Sequence, residues 1–119
     1  MHEMSIAMSL LELAEEEAAK NSCTRLIRIK VEYGALAGIM PEALKFCFTC
    51  LTENGPHKGA VLELTEIPIK LRCPACGTIF PCSDLPLLMQ SCPECGALSG
   101  HNVEQGRELL LLQIEALPE

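Results

Sequence analysis

The sequence predicts an α+β fold: a three-stranded mixed sheet, covered by two helices, that is interrupted by an inserted cysteine-rich module. Three observations indicate this architecture. Two segments carry helix signals, and three segments carry strand signals. Two C-P-x-C-G motifs stand between the second and the third strand segment. Because the last strand follows these motifs, we expect a discontinuous domain at residues 1–70 and 104–119, with the inserted domain at 71–103.

Both helices are predicted in the first half of the chain. The first covers residues 4–20, and its apolar residues recur at three- and four-residue steps: Met4, Ala7, Met8, Leu11, Ala14 and Ala18. The charged residues lie mostly away from this stripe, and we assign no chemistry to Glu12, Glu15, Glu16 and Lys20. The second helix begins at Pro41, since proline suits the first helical turn, and runs to about Glu53.

The strands are predicted from alternation and from apolar runs. Residues 24–33 alternate with a period of two, which places Ile27, Ile29, Val31 and Tyr33 on one face. Residues 60–67 form the second strand, with Leu62 and Leu64 on one face. Residues 109–117 are apolar on both faces, which is typical of a strand covered on both sides. A short helix is the alternative there, but nine residues are few for a buried helix and the sheet needs a third strand.

The two C-P-x-C-G motifs predict a structural zinc site in a zinc-ribbon domain. Each motif turns tightly enough to present two thiolates to one ion, and the glycine that follows permits a positive φ. Cys73 and Cys76 from the first motif, with Cys92 and Cys95 from the second, supply four sulfurs in the closed tetrahedral arrangement of structural Zn²⁺. A pair of redox dithiols is the alternative, but such motifs occur singly beside a βαβ unit.

The net charge and the first residues of the sequence indicate which kinds of partner and which cellular compartment to expect. The formal net charge of −7 argues against nucleic acid and favours a protein or a metal as partner. The start Met-His-Glu-Met-Ser lacks the basic and apolar regions of a signal peptide, so we expect a cytoplasmic protein. No phosphate-binding glycine loop, nucleophile elbow or paired acid and base occurs, and we expect no catalytic residues and no enzymatic activity.

His2 directly precedes the first helix and is a candidate ligand for a second metal. Its imidazole, the backbone nitrogens of His2 and Glu3 and the terminal amine form a nitrogen-rich donor set of the kind that Ni²⁺ and Cu²⁺ prefer. The positive end of the helix opposes a cation, which suits an ion that is held loosely. A solvated histidine without function is the alternative.

Four segments in this order resemble the HypA/HybF family, the nickel metallochaperones of [NiFe]-hydrogenase maturation. They are the start Met-His-Glu-Met-Ser, the segments 29–36 and 41–46, and the paired cysteine motifs. The resemblance implies a nickel-binding domain with His2 as the essential ligand, assisted by the backbone nitrogens of His2 and Glu3. It implies structural zinc in the ribbon. The implied partners are the maturation GTPase HypB, the hydrogenase large subunit and, in some organisms, urease accessory proteins.

One departure from the family concerns the fourth nickel ligand. Some relatives supply a carboxylate from the loop before the second helix, where this chain has Met40. Glu42, Glu3, water or the terminal amine are the alternatives.

The remaining cysteines and histidines are interpreted as mostly structural. Cys47 and Cys50 share one helix face and are expected to pack in the core, and Cys23 is expected to be structural. Cys82 is a spare thiol, a competing ligand or a disulfide partner. His101 and Cys82 are also the candidates for a ligand exchange at zinc that would reorient the first helix. His57, in a loop rich in glycine and proline, is expected to be solvated.

Three functions therefore remain open at this stage. The first is nickel delivery, which the resemblance favours. The second is a zinc-ribbon adaptor that only docks partner proteins. The third is a thiol redox protein that uses Cys47 and Cys50 or one of the ribbon motifs.

Overall fold

The computed structural model describes residues 2–82, 90–98 and 100–118 and divides the chain into two compact units. Unit 1 comprises Met1–Glu32, Gly38–Thr65 and Leu109–Glu119, and unit 2 comprises Tyr33–Ala37 and Glu66–Glu108. The predicted domain limits at 70/71 and 103/104 stay a prediction, because compact packing is not a measurement of independent folding. None of the helices in the described residues has the length and the apolar composition that a membrane-spanning helix requires.

Unit 1 contains both helices and most of the predicted sheet. Helix α1 spans Glu3–Lys20 and α2 spans Pro41–Thr52, with Pro41 in the first turn as expected. Strands β1 (Arg25–Gly34), β2 (Val61–Ile67) and β6 (Leu109–Leu117) form a sheet in the order β2-β1-β6. The core is formed by apolar residues of both helices and of β1 and β2, among them Leu26, Ile29, Leu44, Phe48 and Leu62. The predicted fold class is confirmed.

Helix α1 buries most of the predicted stripe, namely the alanines at 7, 14 and 18 with Leu11 packed beside them, but not its two methionines. Met4 and Met8 are 41% and 53% exposed, whereas Glu3 and Leu10 are buried with the alanines at 7, 14 and 18. Glu3 and Leu10 fit the helical period of these alanines as well as Met4 and Met8 do, so the periodicity alone did not separate them.

Strand β6 has the predicted limits but not the predicted burial. Leu110 and Leu112 are 45% and 55% exposed, and only Leu111, Ile114 and Ala116 pack against the core. The expectation of a strand covered on both sides was wrong, because β6 is the last strand of the sheet and the described residues cover only part of its apolar surface. Strand β1 lies in the centre instead, which its sequence did not distinguish from an edge position.

Unit 2 is built on a second small sheet. Strands β3 (Lys70–Arg72), β4 (Ile79–Pro81) and β5 (Asn102–Gln105) are ordered β4-β3-β5, and β3 pairs antiparallel with both neighbours. Leu71 lies opposite Phe80 on one side and Val103 on the other. Its core consists of Leu71, Phe80 and three buried cysteines, Cys73, Cys82 and Cys92. Three of these five buried residues are cysteines, and two of them, Cys73 and Cys92, are predicted zinc ligands, so the core of unit 2 depends on what their sulfurs bind.

His57 is buried, which contradicts the expectation of a solvated side chain. It is 6% exposed, its Nδ1 accepts a hydrogen bond from the Leu26 N–H at 3.0 Å, and its Nε2 lies 2.8 Å from Glu15 Oε2. With Nδ1 as an acceptor, a neutral ring places its proton on Nε2 and donates to the carboxylate. The ring thereby links the segment before β2 to helix α1 and to the beginning of strand β1. Glu15, to which the sequence assigned no role, therefore has a structural contact.

We expect His57→Ala to lower the free energy of unfolding by about 1–3 kcal/mol, because it leaves the buried Leu26 N–H without a partner. Urea denaturation followed by circular dichroism measures the change. The matched control is Lys58→Ala, a neighbouring exposed position where we expect a change within about 0.5 kcal/mol. Equal midpoints for the two variants would contradict the structural role of His57.

Candidate metal centres

The four predicted zinc-ligating cysteines come together in unit 2. Their sulfur atoms all lie within 4.8 Å of one another, with 3.5 Å between the Sγ atoms of Cys73 and Cys95 and 3.6 Å between those of Cys76 and Cys92. A tetrahedral ion with zinc–sulfur distances of about 2.3 Å requires sulfur–sulfur distances of about 3.8 Å. The cluster therefore already has the dimensions of a four-thiolate zinc site.

The two C-P-x-C-G turns hold these sulfurs with the same hydrogen-bond pattern. In the first, the Gly77 N–H donates to the Cys73 carbonyl and the Cys73 N–H donates to the Thr78 carbonyl, both at 2.9 Å. The second turn repeats both bonds from Gly96 to Cys92 and from Cys92 to Ala97, again at 2.9 Å. Gly77 and Gly96 have φ values of 78° and 80°, as the sequence analysis predicted for the residue after each second cysteine.

The thiols of the cluster do not ionise independently of one another. Hydrogen bonds from Thr78, whose hydroxyl oxygen lies 3.1 Å from the sulfur, lower the pKa of the Cys76 thiol to about 6. The Ala97 N–H also stabilises a thiolate at Cys95, but the adjacent sulfurs, first that of Cys73, together with burial raise the pKa of Cys95 to about 12. A divalent cation bound by the four sulfurs would offset the repulsion between neighbouring thiolates, since it stabilises every thiolate at once.

Arg72 supports the first turn from the end of β3. Its Nε donates to Glu104 Oε1 at 2.9 Å, and its Nη1 donates to the Gly77 carbonyl at 3.3 Å. The hydrogen bond and the charge of Arg72 hold the pKa of Glu104 below its usual value. Arg72 thus links β3 to β5 and to the turn that positions Cys76, a role that its place directly before Cys73 did not reveal.

The N-terminal candidate site is exposed and differs in kind from the cysteine cluster. His2 is exposed at the N-cap of α1, and its carbonyl accepts the Ile6 N–H at 2.9 Å. Glu3 is buried, and its Oε2 accepts the Met40 N–H at 3.2 Å. This contact brings the loop before α2 to the start of α1. The Met40 side chain itself is 65% exposed.

Among the described residues, the four cysteines are the only place where three or more side chains of histidine, cysteine, aspartate or glutamate meet at metal-binding distance. His2 and Glu3 are not part of such a group. An N-terminal metal site would therefore depend on backbone donors as well as on the imidazole. The terminal amine of Met1, one of the proposed donors, lies outside the described residues.

The other cysteines and His101 lie outside the cysteine cluster. Cys47 packs against the core of unit 1 as expected, but Cys50 is exposed, so the prediction of core packing was wrong for that residue. Cys23 is half-buried against the same core. Cys82 is buried in the core of unit 2. The Nε2 of His101 lies 2.8 Å from the Gln90 carbonyl, and its ring meets Phe80 edge to face at 5.1 Å. The ligand exchange suggested for Cys82 and His101 stays a hypothesis.

Comparison with known proteins places this arrangement in one family. The model of the HypA family, described as "Hydrogenase/urease nickel incorporation, metallochaperone, hypA", matches residues 1–116. The chain is 40% identical to the hydrogenase maturation factor HypA of Lawsonia intracellularis over 116 residues, 97% of this chain and 98% of that protein. It is 42% identical to the HypA of Solidesulfovibrio magneticus over 115 residues, with the same coverage of 97% and 98%.

Solved structures agree with the sequence relatives. The solution structure of the Ni metallochaperone HypA from Helicobacter pylori superimposes with a TM-score of 0.69 at 29% identity, covering 100% of both chains. A second solution structure of a HypA protein gives a TM-score of 0.73 at 29% identity, covering 100% of this chain and 98% of that one. The resemblance seen in the sequence is thereby confirmed. With its four-cysteine cluster and its Met-His-Glu start, this chain belongs to the HypA family of nickel-incorporation metallochaperones of hydrogenase maturation.

Proposed function

We propose that this protein binds Ni(II) at its N-terminus and delivers it during [NiFe]-hydrogenase maturation, while a structural Zn(II) ion holds its ribbon domain. The observation that supports this division is the contrast between the two candidate centres. The cysteine cluster is a closed set of four sulfurs with two of them, Cys73 and Cys92, fully buried. His2 is exposed beside backbone nitrogens. A cargo ion has to be released, and an exposed site with few side-chain ligands suits release better than a closed one.

The cysteine cluster fits zinc in both donor type and spacing. Cys73, Cys76, Cys92 and Cys95 would hold the ion with all four coordination positions filled by sulfur. Such a site has no open position for a substrate, so the ion would stabilise the fold and would not take part in a reaction. We propose that the ribbon domain is residues 71–103 and that the nickel-binding domain is residues 1–70 with 104–119.

At the N-terminus, we propose His2 and the backbone nitrogens of His2 and Glu3 as the nickel ligands. The Glu3 carboxylate hydrogen-bonds the Met40 N–H, which supports a role in positioning the loop before α2 beside the ion. Binding through amide nitrogens requires their deprotonation, so nickel affinity should rise with pH. The nitrogen donors suit square-planar Ni(II) and do not suit tetrahedral zinc, which separates the two ions by coordination chemistry.

The delivery role implies protein partners and no catalysis by this chain. We propose the maturation GTPase HypB and the hydrogenase large subunit as partners in a cytoplasmic pathway, with urease accessory proteins as further partners. The net charge of −7 makes nucleic acid an unfavourable partner. The chain would act as a carrier and not as an enzyme.

Calorimetric titration of nickel into untagged, zinc-loaded protein tests the proposal. We expect one nickel per chain for the unmodified protein and no measurable binding for His2→Ala, because the imidazole is the one side-chain nitrogen of the set. The matched control is His101→Ala, which removes an imidazole from unit 2 and should leave nickel binding unchanged. An additional histidine tag has to be absent from the N-terminus, since it would itself bind nickel.

Two results would contradict the proposal. Equal nickel binding by His2→Ala and the unmodified protein would remove the N-terminus as the site. No binding by either, with one zinc retained in both, would leave the zinc-ribbon adaptor as the remaining function.

A further inference from the structure

Strand β6 presents an open, apolar edge. It is the last strand in the order β2-β1-β6, and no strand in the described part of the chain pairs with its second edge. Leu110, Leu112 and Leu117 are 45%, 55% and 47% exposed. An edge strand of nine residues with unpaired backbone groups and large apolar side chains is a template for pairing with another chain.

Two residue types that usually protect such an edge are missing from β6. Native sheets often place lysine or proline on exposed edges to prevent pairing. Residues 109–117 contain no lysine, arginine or proline, and Glu115 is the only charged residue among them. Its carboxylate lies 3.7 Å from Arg28 Nη1 on the neighbouring strand β1, so it is paired within the sheet. The apolar edge therefore lacks a charge of its own that would repel a partner strand.

A groove beside this edge indicates the charge of the partner. The groove measures about 430 Å³ and lies between the end of α1 and β6. It is lined by Glu17, Asn21, Leu111, Leu112, Gln113 and Ile114. Glu17 is exposed and pairs with the exposed Lys20 ammonium at 3.6 Å, a surface ion pair that contributes little to stability. Glu12 and Glu16 on the same helix are exposed as well.

We propose that the β6 edge is a docking surface for an extended segment of another protein that carries alternating apolar side chains and lysine or arginine. The backbone of the segment would pair with β6, its apolar side chains would contact Leu110 and Leu112, and a basic side chain would reach Glu17. A second copy of this chain is a poorer occupant, because two acidic molecules repel and β6 itself offers no basic residue. The surface is distinct from His2 and does not depend on the nickel proposal.

Two synthetic peptides test the proposal against the full-length, zinc-loaded protein. One is an eight-residue alternating lysine–valine peptide, and the other is the alternating glutamate–valine peptide. We expect the lysine peptide to bind at least about tenfold more tightly and to slow amide hydrogen exchange within residues 109–117. Exchange protection confined to other residues, equal binding of both peptides, or no binding of the lysine peptide up to millimolar concentration would overturn the proposal.

Two pairs of variants locate the contacts. Leu112→Asn should weaken binding of the lysine peptide about tenfold, and Leu98→Asn, at an even more exposed leucine of unit 2, should not. Glu17→Gln should weaken binding and its salt dependence, and Glu12→Gln on the same helix should have a smaller effect. All four should keep the zinc and nickel stoichiometry of the unmodified protein. Equal effects within either pair would overturn the proposed contacts, and a concentration-dependent dimer lost in Leu112→Asn would assign the edge to a second copy.

Discussion

Cys92→Ser is expected to abolish stoichiometric zinc binding and to unfold unit 2. Cys92 is 2% exposed, its sulfur lies 3.6 Å from that of Cys76, and its backbone holds the second turn through bonds to Gly96 and Ala97. Serine preserves the size of the side chain but replaces a thiolate with a hydroxyl that binds zinc poorly. Apparent zinc-binding free energies of about 10–16 kcal/mol in zinc-finger peptides show how much folding energy such a site supplies.

Metal analysis and hydrogen exchange measure this effect. We expect the zinc content to fall from one per chain to near zero after treatment with a chelator, and the amides of β3, β4 and β5 to lose protection. Cys82→Ser is the matched control, because Cys82 is also a buried cysteine of unit 2 but is not among the four sulfurs of the cluster. It should keep its zinc. Full zinc retention by Cys92→Ser, or equal zinc loss in both variants, would contradict the assigned ligand set.

Gly34→Ala is expected to destabilise the protein by about 3 kcal/mol through a backbone clash. A Cβ atom at Gly34 would lie 2.0 Å from the carbonyl carbon and oxygen of Gly106 and 2.4 Å from the Arg107 nitrogen. These are backbone atoms, so a rotamer change cannot relieve the contact. The same crossing is held by two short hydrogen bonds, from the Gly34 N–H to the Glu108 carbonyl and from the Leu36 N–H to the Gly106 carbonyl, both 2.7 Å.

The control for this variant is Gly55→Ala. A Cβ atom there meets nothing within 4 Å, so we expect a change within about 0.5 kcal/mol. Thermal denaturation of both variants measures the difference. A melting temperature of Gly34→Ala equal to that of Gly55→Ala would show that the close approach of the two glycines is not required in solution.

Features that depend on neighbouring residues could be predicted from the sequence. The start of α2 at Pro41, the limits of β6 and the positive φ of Gly77 and Gly96 all follow from short patterns. The four-sulfur cluster followed as well, because the spacing within each motif determines how two thiolates are presented, and two such motifs complete a tetrahedron. In each of these cases, residues close together in the sequence were sufficient to predict the structure.

Features that depend on distant contacts could not be predicted. His57 is buried through partners 31 and 42 residues away, and nothing in its glycine- and proline-rich segment indicates them. The exposure of β6 depends on its position at the edge of the sheet, which its own leucines do not encode. The hydrogen bond from Met40 to Glu3 likewise joins residues 37 positions apart. Tertiary packing determines these burials and contacts, and the local periodicity of the sequence does not indicate them.

The central claim is that nickel and zinc occupy two chemically different sites in this chain. Nickel K-edge absorption spectroscopy on the untagged protein, loaded with one zinc and one nickel, tests it most directly. We expect a nickel ion surrounded by nitrogen and oxygen only and no bound nickel in His2→Ala, while the zinc edge shows four sulfur ligands in both proteins. A nickel–sulfur shell would place the cargo in the cysteine cluster and contradict the N-terminal nickel site.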